Sequence, residues 1–95
     1  MTNIEKKKIV DYLRGTVTKN SMMILKYLLY EENISNTFTP LNQTAIAKKV
    51  GMPQAMAHRA FSDLVTDKVL IRGIKDKVYP YKLNEFLIRK VGVKL

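Results

Sequence analysis

Apolar positions recur along this chain with two different periods. Over residues 54–66, Ala57, Phe61, Leu64 and Val65 fall at i, i+4, i+7 and i+8, the stripe of a helix with one face turned inward. Gln54, Ala55, His58, Arg59 and Ser62 lie on the opposite face. Just upstream, Ile46, Ala47 and Val50 mark a shorter helix over 43–50. Asn42 suits its N-cap, Lys48 and Lys49 suit the negative end of its dipole, and Gly51 suits a left-handed stop. Pro53 fits the start of the next helix because it has no N–H to leave unsatisfied. The stretch Leu41–Leu64 therefore reads as two helices broken by one tight turn.

The flanks are built around it. Residues 20–32, NSMMILKYLLYEE, are apolar on more than one face, the pattern of a central helix buried on most sides, capped by Asn20 or Ser21, with Met22 and Met23 filling core space. Residues 3–14, NIEKKKIVDYLR, predict a first helix with Asn3 as N-cap and Gly15 as its stop. Ile4, Ile9, Tyr12 and Leu13 form its stripe, and Lys6, Lys7 and Lys8 face outward. Residues 33–40 carry loop chemistry, with Phe38 and Thr39 as a very short strand. The period then changes. VLIRGI and KVYPYKL, separated near Lys75-Asp76, predict a β-hairpin over 69–83 with Tyr79, Tyr81 and Leu83 on one face and Pro80 in an edge strand. Asn84 caps a last short helix with Phe86, Leu87 and Val91 inward.

Composition narrows what such a chain does. Its 95 residues suffice for one small domain, and 46% hydrophobic content supplies a core. Lys+Arg number 17 against 8 Asp+Glu, a formal charge of +9, which points to a polyanionic partner. The absence of cysteine removes disulfides, thiol catalysis and thiolate metal sites, and a single histidine argues against any metal site. No convergent acid–base set is in sight, so the chain is not expected to be an enzyme or to need a cofactor. The start MTNIEKKKIV lacks the apolar run of a signal peptide, and no stretch approaches the roughly 20 apolar residues of a membrane span. A cytoplasmic protein without a membrane partner is the expectation.

The order helix, helix, tight turn, helix, basic hairpin resembles the winged helix-turn-helix DNA-binding proteins, including bacterial and archaeal repressors of the MarR, PadR and ArsR type. The resemblance rests on TAIAKKVGMPQAMAHRAFSDLVTDKVLIR followed by VYPYKL, and covers about residues 20–83. Two positions depart from the family pattern: Pro53 stands where a Ser or Thr cap is usual, and Val69 where Gly is frequent. The resemblance implies a mainly helical α+β fold. It has three core helices, a β-hairpin wing and added terminal helices, in a single domain over 1–95. Residues 1–19 and 84–95 flank the winged-helix core at 20–83.

It also implies double-stranded DNA as partner. A helix fits the major groove and presents side chains from its N-terminal half to base edges. Gln54 would pair with adenine, Arg59 with guanine, and Ala55 would approach a thymine methyl; His58 would meet a base or a phosphate. Ser62, Asn42 and Thr44 join this surface. The wing over 70–82, with Arg72, Lys75 and Lys77, would lie on the backbone or the minor groove. Family members mostly act as two-fold dimers, and the terminal residues Ile4, Ile9, Tyr12, Leu13, Phe86 and Leu87 are the expected homodimer interface. Three functions stay open: a transcription regulator, a plasmid or viral centromere-binding partition adaptor or origin binder that spreads on DNA, and a protein–protein adaptor with a further protein partner.

Overall fold

The computed structural model describes residues 1–74 and 79–94. The chain runs through α1 (Asn3–Leu13), α2 (Lys19–Tyr30), β1 (Thr39–Pro40), α3 (Gln43–Val50), α4 (Gln54–Thr66), β2 (Leu70–Arg72), β3 (Pro80–Leu83) and α5 (Glu85–Lys90). The strands form an antiparallel sheet in the order β1-β3-β2, with Thr39 opposite Tyr81 and Leu70 opposite Leu83. This is the mainly helical winged helix-turn-helix arrangement that the sequence predicts. No helix among the described residues is long and apolar enough to cross a membrane.

The core is built on α2, where Ile24, Leu25, Leu28 and Leu29 are fully buried. Onto it α4 lays Ala57, Ala60, Phe61 and Leu64, and α3 lays Ile46 and Ala47. The Phe61 ring stands 5.4 Å from that of Tyr81 in β3, so one aromatic pair joins α4 to the sheet. Each fully buried Ile, Leu or Phe among them stabilises the fold by roughly 1.5–3 kcal/mol.

Helix ends follow local chemistry. Asn42 caps α3 by accepting from Ala45 N at 3.0 Å, and Asn84 caps α5 by accepting from Phe86 N at 2.9 Å. Gly51 ends α3 at φ 71°. Two expected caps shift upstream. α1 starts from Thr2, not Asn3, because Thr2 and Glu5 form a reciprocal capping box. α2 starts from Thr18, whose hydroxyl accepts from Ser21 N, instead of Asn20 or Ser21. The Thr2 N–H donates to Glu5 Oε1 at 2.8 Å, which holds that carboxyl below its ordinary value of 4.5. The cap is therefore complete above the unfolded carboxylate's pKa and is lost as pH falls through the lower folded value, which amide exchange in the first turn of α1 would read.

The ends of α3 and α4 give one prediction with two signs. Gly51 occupies the left-handed region with open space around a would-be Cβ. Lys68, just beyond α4, occupies the same region at φ 61° with a full side chain. Gly51→Ala should lower stability and Lys68→Gly should raise it, each by about 0.5–1 kcal/mol in urea titration. Equal midpoints for the three proteins would refute this.

Several side chains sit elsewhere than their periodicity implies. Lys6 is buried, not outward: its Nζ donates to Asn33 Oδ1 at 2.7 Å and lies 5.6 Å from the Tyr30 ring. Its stem covers apolar surface while its head ties α1 to the turn after α2, where Asn33 takes a positive φ of 51°. Met23 is exposed, since the buried stripe of α2 runs through Ser21, Ile24, Leu25, Leu28 and Leu29. Pro80 lies in the central strand and not at an edge. It is tolerated there as the first residue of β3, where its carbonyl still accepts from Gly73 N at 2.8 Å. Phe38 lies just before β1 and not in it.

The terminal helices divide the expected interface residues in two. Ile9, Leu13 and Leu87 are buried in this chain's own core, so they are unavailable to a second copy in this fold. Ile4, Tyr12 and Phe86 are exposed, Phe86 at 79%. Phe86 was expected inward; α5 instead buries Leu87 and Ile88, one position on, which turns Phe86 outward.

Candidate nucleic-acid interface

The left-handed turn at Gly51 sends the chain into α4 within three residues, and Met52 anchors that turn in the core. Pro53 is the N-cap of α4 and provides no side-chain cap. The first amides of the helix thus point forward without a side-chain partner, the arrangement that favours an anion.

All five residues expected on the reading face, Gln54, Ala55, His58, Arg59 and Ser62, are exposed. They do not form one flat row. His58 faces a cleft of about 590 Å³ whose other walls include Asn42 and Thr44 of α3, Arg72 of β2 and Tyr79. Arg59 turns to the other flank, beside Thr18 and Asn20 at the start of α2. The two thus reach out on either side of the helix. Arg59 makes no ion pair with Asp63 four residues on; the ion pairs among the described residues are Lys7–Asp11, Arg14–Asp11 and Arg89–Glu85, all on the terminal helices.

Hydrogen bonds set the inner geometry. Gln54 Nε2 donates to Thr44 Oγ1 at 3.0 Å and lies 3.4 Å from His58 Nε2, linking the two helices of the motif across their turn. The Asn42 side chain is engaged as the α3 cap. At the wing, the Arg72 guanidinium lies 4.9 Å from the Tyr79 ring centroid, a cation–π contact that holds both beside the cleft. Lys75 and Lys77 lie outside the described residues.

The electrostatics are one-sided. Residues 33–62, which span β1, α3, the turn and most of α4, contain no Asp or Glu, yet carry Lys48, Lys49, His58 and Arg59. An approaching polyanion therefore meets no fixed negative charge from these residues, and Asp63, one position on, borders only the Arg59 flank.

Two residues of this region escaped the sequence reading. Gln43 donates from Nε2 to the Tyr81 hydroxyl at 2.7 Å, while its buried Oε1 has no hydrogen-bond partner among the described residues. It fell on the α3 face between the inward stripe and the exposed residues, and only the distant Tyr81 reveals its role. Tyr79 was placed on the packing face with Tyr81 and Leu83, but β3 begins at Pro80, so Tyr79 is 47% exposed. The preference of proline for the first position of a strand, here Pro80, is the signal that leaves Tyr79 outside it.

No family model and no curated protein matches the chain. Solved structures do. One is MepR, a transcription regulator of the Staphylococcus aureus multidrug efflux pump MepA, with 18% identity over 92% of this chain and a TM-score of 0.60. Another is a MepR mutant from a multidrug-resistant S. aureus clinical isolate, with 20% identity over 90% of this chain and a TM-score of 0.60. The matches cover 61% and 62% of those chains, so this chain spans about three fifths of their length. At this identity the likeness is one of fold, and it agrees with the winged helix-turn-helix built above from helix order, turn and sheet.

Proposed function

We propose that the chain binds double-stranded DNA sequence-specifically, as a homodimeric transcription regulator, with α4 in the major groove and the wing on the backbone or minor groove. The observation that carries this reading is the exposed N-terminal half of α4. It is free of carboxylates, flanked by Arg59 on one side and by His58 and Arg72 on the other, on a chain of charge +9. The same fold serving a transcription regulator in MepR supports it. Fluorescence anisotropy with labelled duplex DNA tests it. Affinity should fall steeply with salt, as phosphate neutralisation releases counterions. Absence of duplex binding would instead favour a protein–protein adaptor.

Homodimerisation would use the residues left outside the core. Ile4, Tyr12 and Phe86 are exposed, and the Lys90 ammonium 5.6 Å from the Tyr12 ring places the ends of α1 and α5 side by side. Phe86→Asp should shift the chain from dimer to monomer in light scattering with its helical circular dichroism unchanged. A variant that stays dimeric places the interface elsewhere. The partition or origin-binding alternative draws on the same exposed apolar residues, through which further copies would assemble. A footprint of constant length over rising protein concentration supports the regulator, whereas one that lengthens supports spreading.

A further inference from the structure

The Gln54 amide has two ends of opposite hydrogen-bonding sense, and in this structure the nitrogen is the end turned back into the protein. Its nitrogen lies 3.0 Å from Thr44 Oγ1 and 3.4 Å from His58 Nε2. An amide nitrogen only donates, so His58 Nε2 must accept, which puts the imidazole proton on Nδ1. The amide oxygen is then the end left for the groove. Thr44 fits either orientation, because a hydroxyl both donates and accepts. The doubly protonated imidazole does not. Its Nε2 carries a hydrogen and repels the amide N–H, so the amide turns over and its oxygen accepts from His58 and Thr44 together. The nitrogen then faces outward.

Resting on the DNA-binding reading, we propose that Thr44 and His58 are positioning residues that set which base Gln54 reads, and that the preference inverts when His58 takes up a proton. With the oxygen outward, Gln54 accepts from an exocyclic amine, adenine N6 or cytosine N4. With the nitrogen outward, it donates to guanine O6 or N7 or to thymine O4. A glutamine clamped in this way makes one directed contact in place of the two-point pairing with adenine that an unconstrained glutamine offers. Among the described residues, the titratable and charged groups that share the cleft with His58 are Arg72, Tyr79 and Tyr81; α3 contributes Asn42, Gln43 and Thr44, all uncharged, and Arg59, next along α4, reaches out on the opposite flank. Among the described residues no carboxylate lines the cleft, so the amide oxygen of Gln54 is the acceptor they offer the imidazolium.

The test selects duplexes from a randomised library with the full chain at about pH 8 and again at about pH 5.5, on either side of the range in which histidine changes charge. Anisotropy then compares four duplexes that differ only at the base pair whose preference disappears in Gln54→Ala. The rank order should invert between the two conditions, with relative affinities changing about tenfold, the size of one good base-edge contact. His58→Ala should show one preference at both pH values, and Thr44→Val a weakened preference at both. An identical preference at both pH values, an inversion that survives His58→Ala, or no base preference lost in Gln54→Ala would each overturn the proposal. A uniform gain of affinity for all four duplexes at low pH would also overturn it, making His58 a phosphate contact, while leaving DNA binding intact. Failure of every duplex to bind would instead remove the DNA-binding reading itself.

Discussion

Phe61→Ala is expected to lower the thermal midpoint by roughly 15–30 °C, the consequence of losing about 3–5 kcal/mol from a small domain. Phe61 is 1% exposed and is the side chain through which α4 meets both the helical core and the sheet. Removing the ring leaves a cavity against Tyr81 that fixed helices on either side cannot close. Since a domain of this size holds only about 5–10 kcal/mol in all, much of the protein would be unfolded at physiological temperature. Tyr81→Phe is the matched control. It retains the aromatic pair and removes the hydrogen bond from Gln43, so it should cost about 1 kcal/mol. Melting followed by far-ultraviolet circular dichroism separates the two. If Phe61→Ala melted within a few degrees of the parent chain, the claim that this ring joins helix to sheet would fail.

Arg59→Ala is expected to leave the fold intact and to weaken binding to the selected site by about 1–3 kcal/mol, with discrimination relaxed at one base pair. The side chain is exposed and forms no ion pair with the described residues, so its removal leaves their packing untouched. An arginine offers guanine O6 and N7 a planar two-point match that alanine lacks. Competition binding with single-base-pair variants reads the effect. A uniform loss on every sequence, with the salt slope reduced by about one, would make Arg59 a phosphate contact, as its place beside the start of α2 also permits. Wild-type binding would sink the docking mode altogether.

How much of this was legible beforehand depended on whether a residue's role was local. The boundaries of α4, the stop at Gly51 and the N-cap at Asn84 follow from neighbours within four residues, and they stand where periodicity and capping put them. The caps of α1 and α2 were displaced by one to three residues because several hydroxyl or amide side chains competed within one turn, and only bond geometry selects among them. Lys6 is the instructive miss. Three consecutive lysines read as a solvated face, yet the middle of α1 packs over the turn at Asn33, and the first of the three is drawn into that contact. Its acceptor lies 27 residues away.

The candidate site divides along the same line. Exposure of Gln54, Ala55, His58, Arg59 and Ser62 was readable because it is the complement of an inward stripe. That His58 and Arg59, adjacent in sequence, reach out to opposite flanks was not, since it depends on what stands on each side of α4. The same holds for the terminal helices, where one turn of α5 decides that Leu87 belongs to the core and Phe86 to the surface.

The amino-acid sequence by itself determined the order of helices and hairpin, the tight turn at Gly51, and a charge that calls for a polyanion, because each rests on periodicity, backbone preference or simple summation. Tertiary structure alone decided which interface residues remain outside the core, how the wing arginine stacks on Tyr79, and that Thr44 and His58 hold the Gln54 amide between them. Those relations join residues brought together by packing. Hydrogen bonds and ring contacts act over only a few ångströms, and that proximity exists once α3, α4 and the sheet have met.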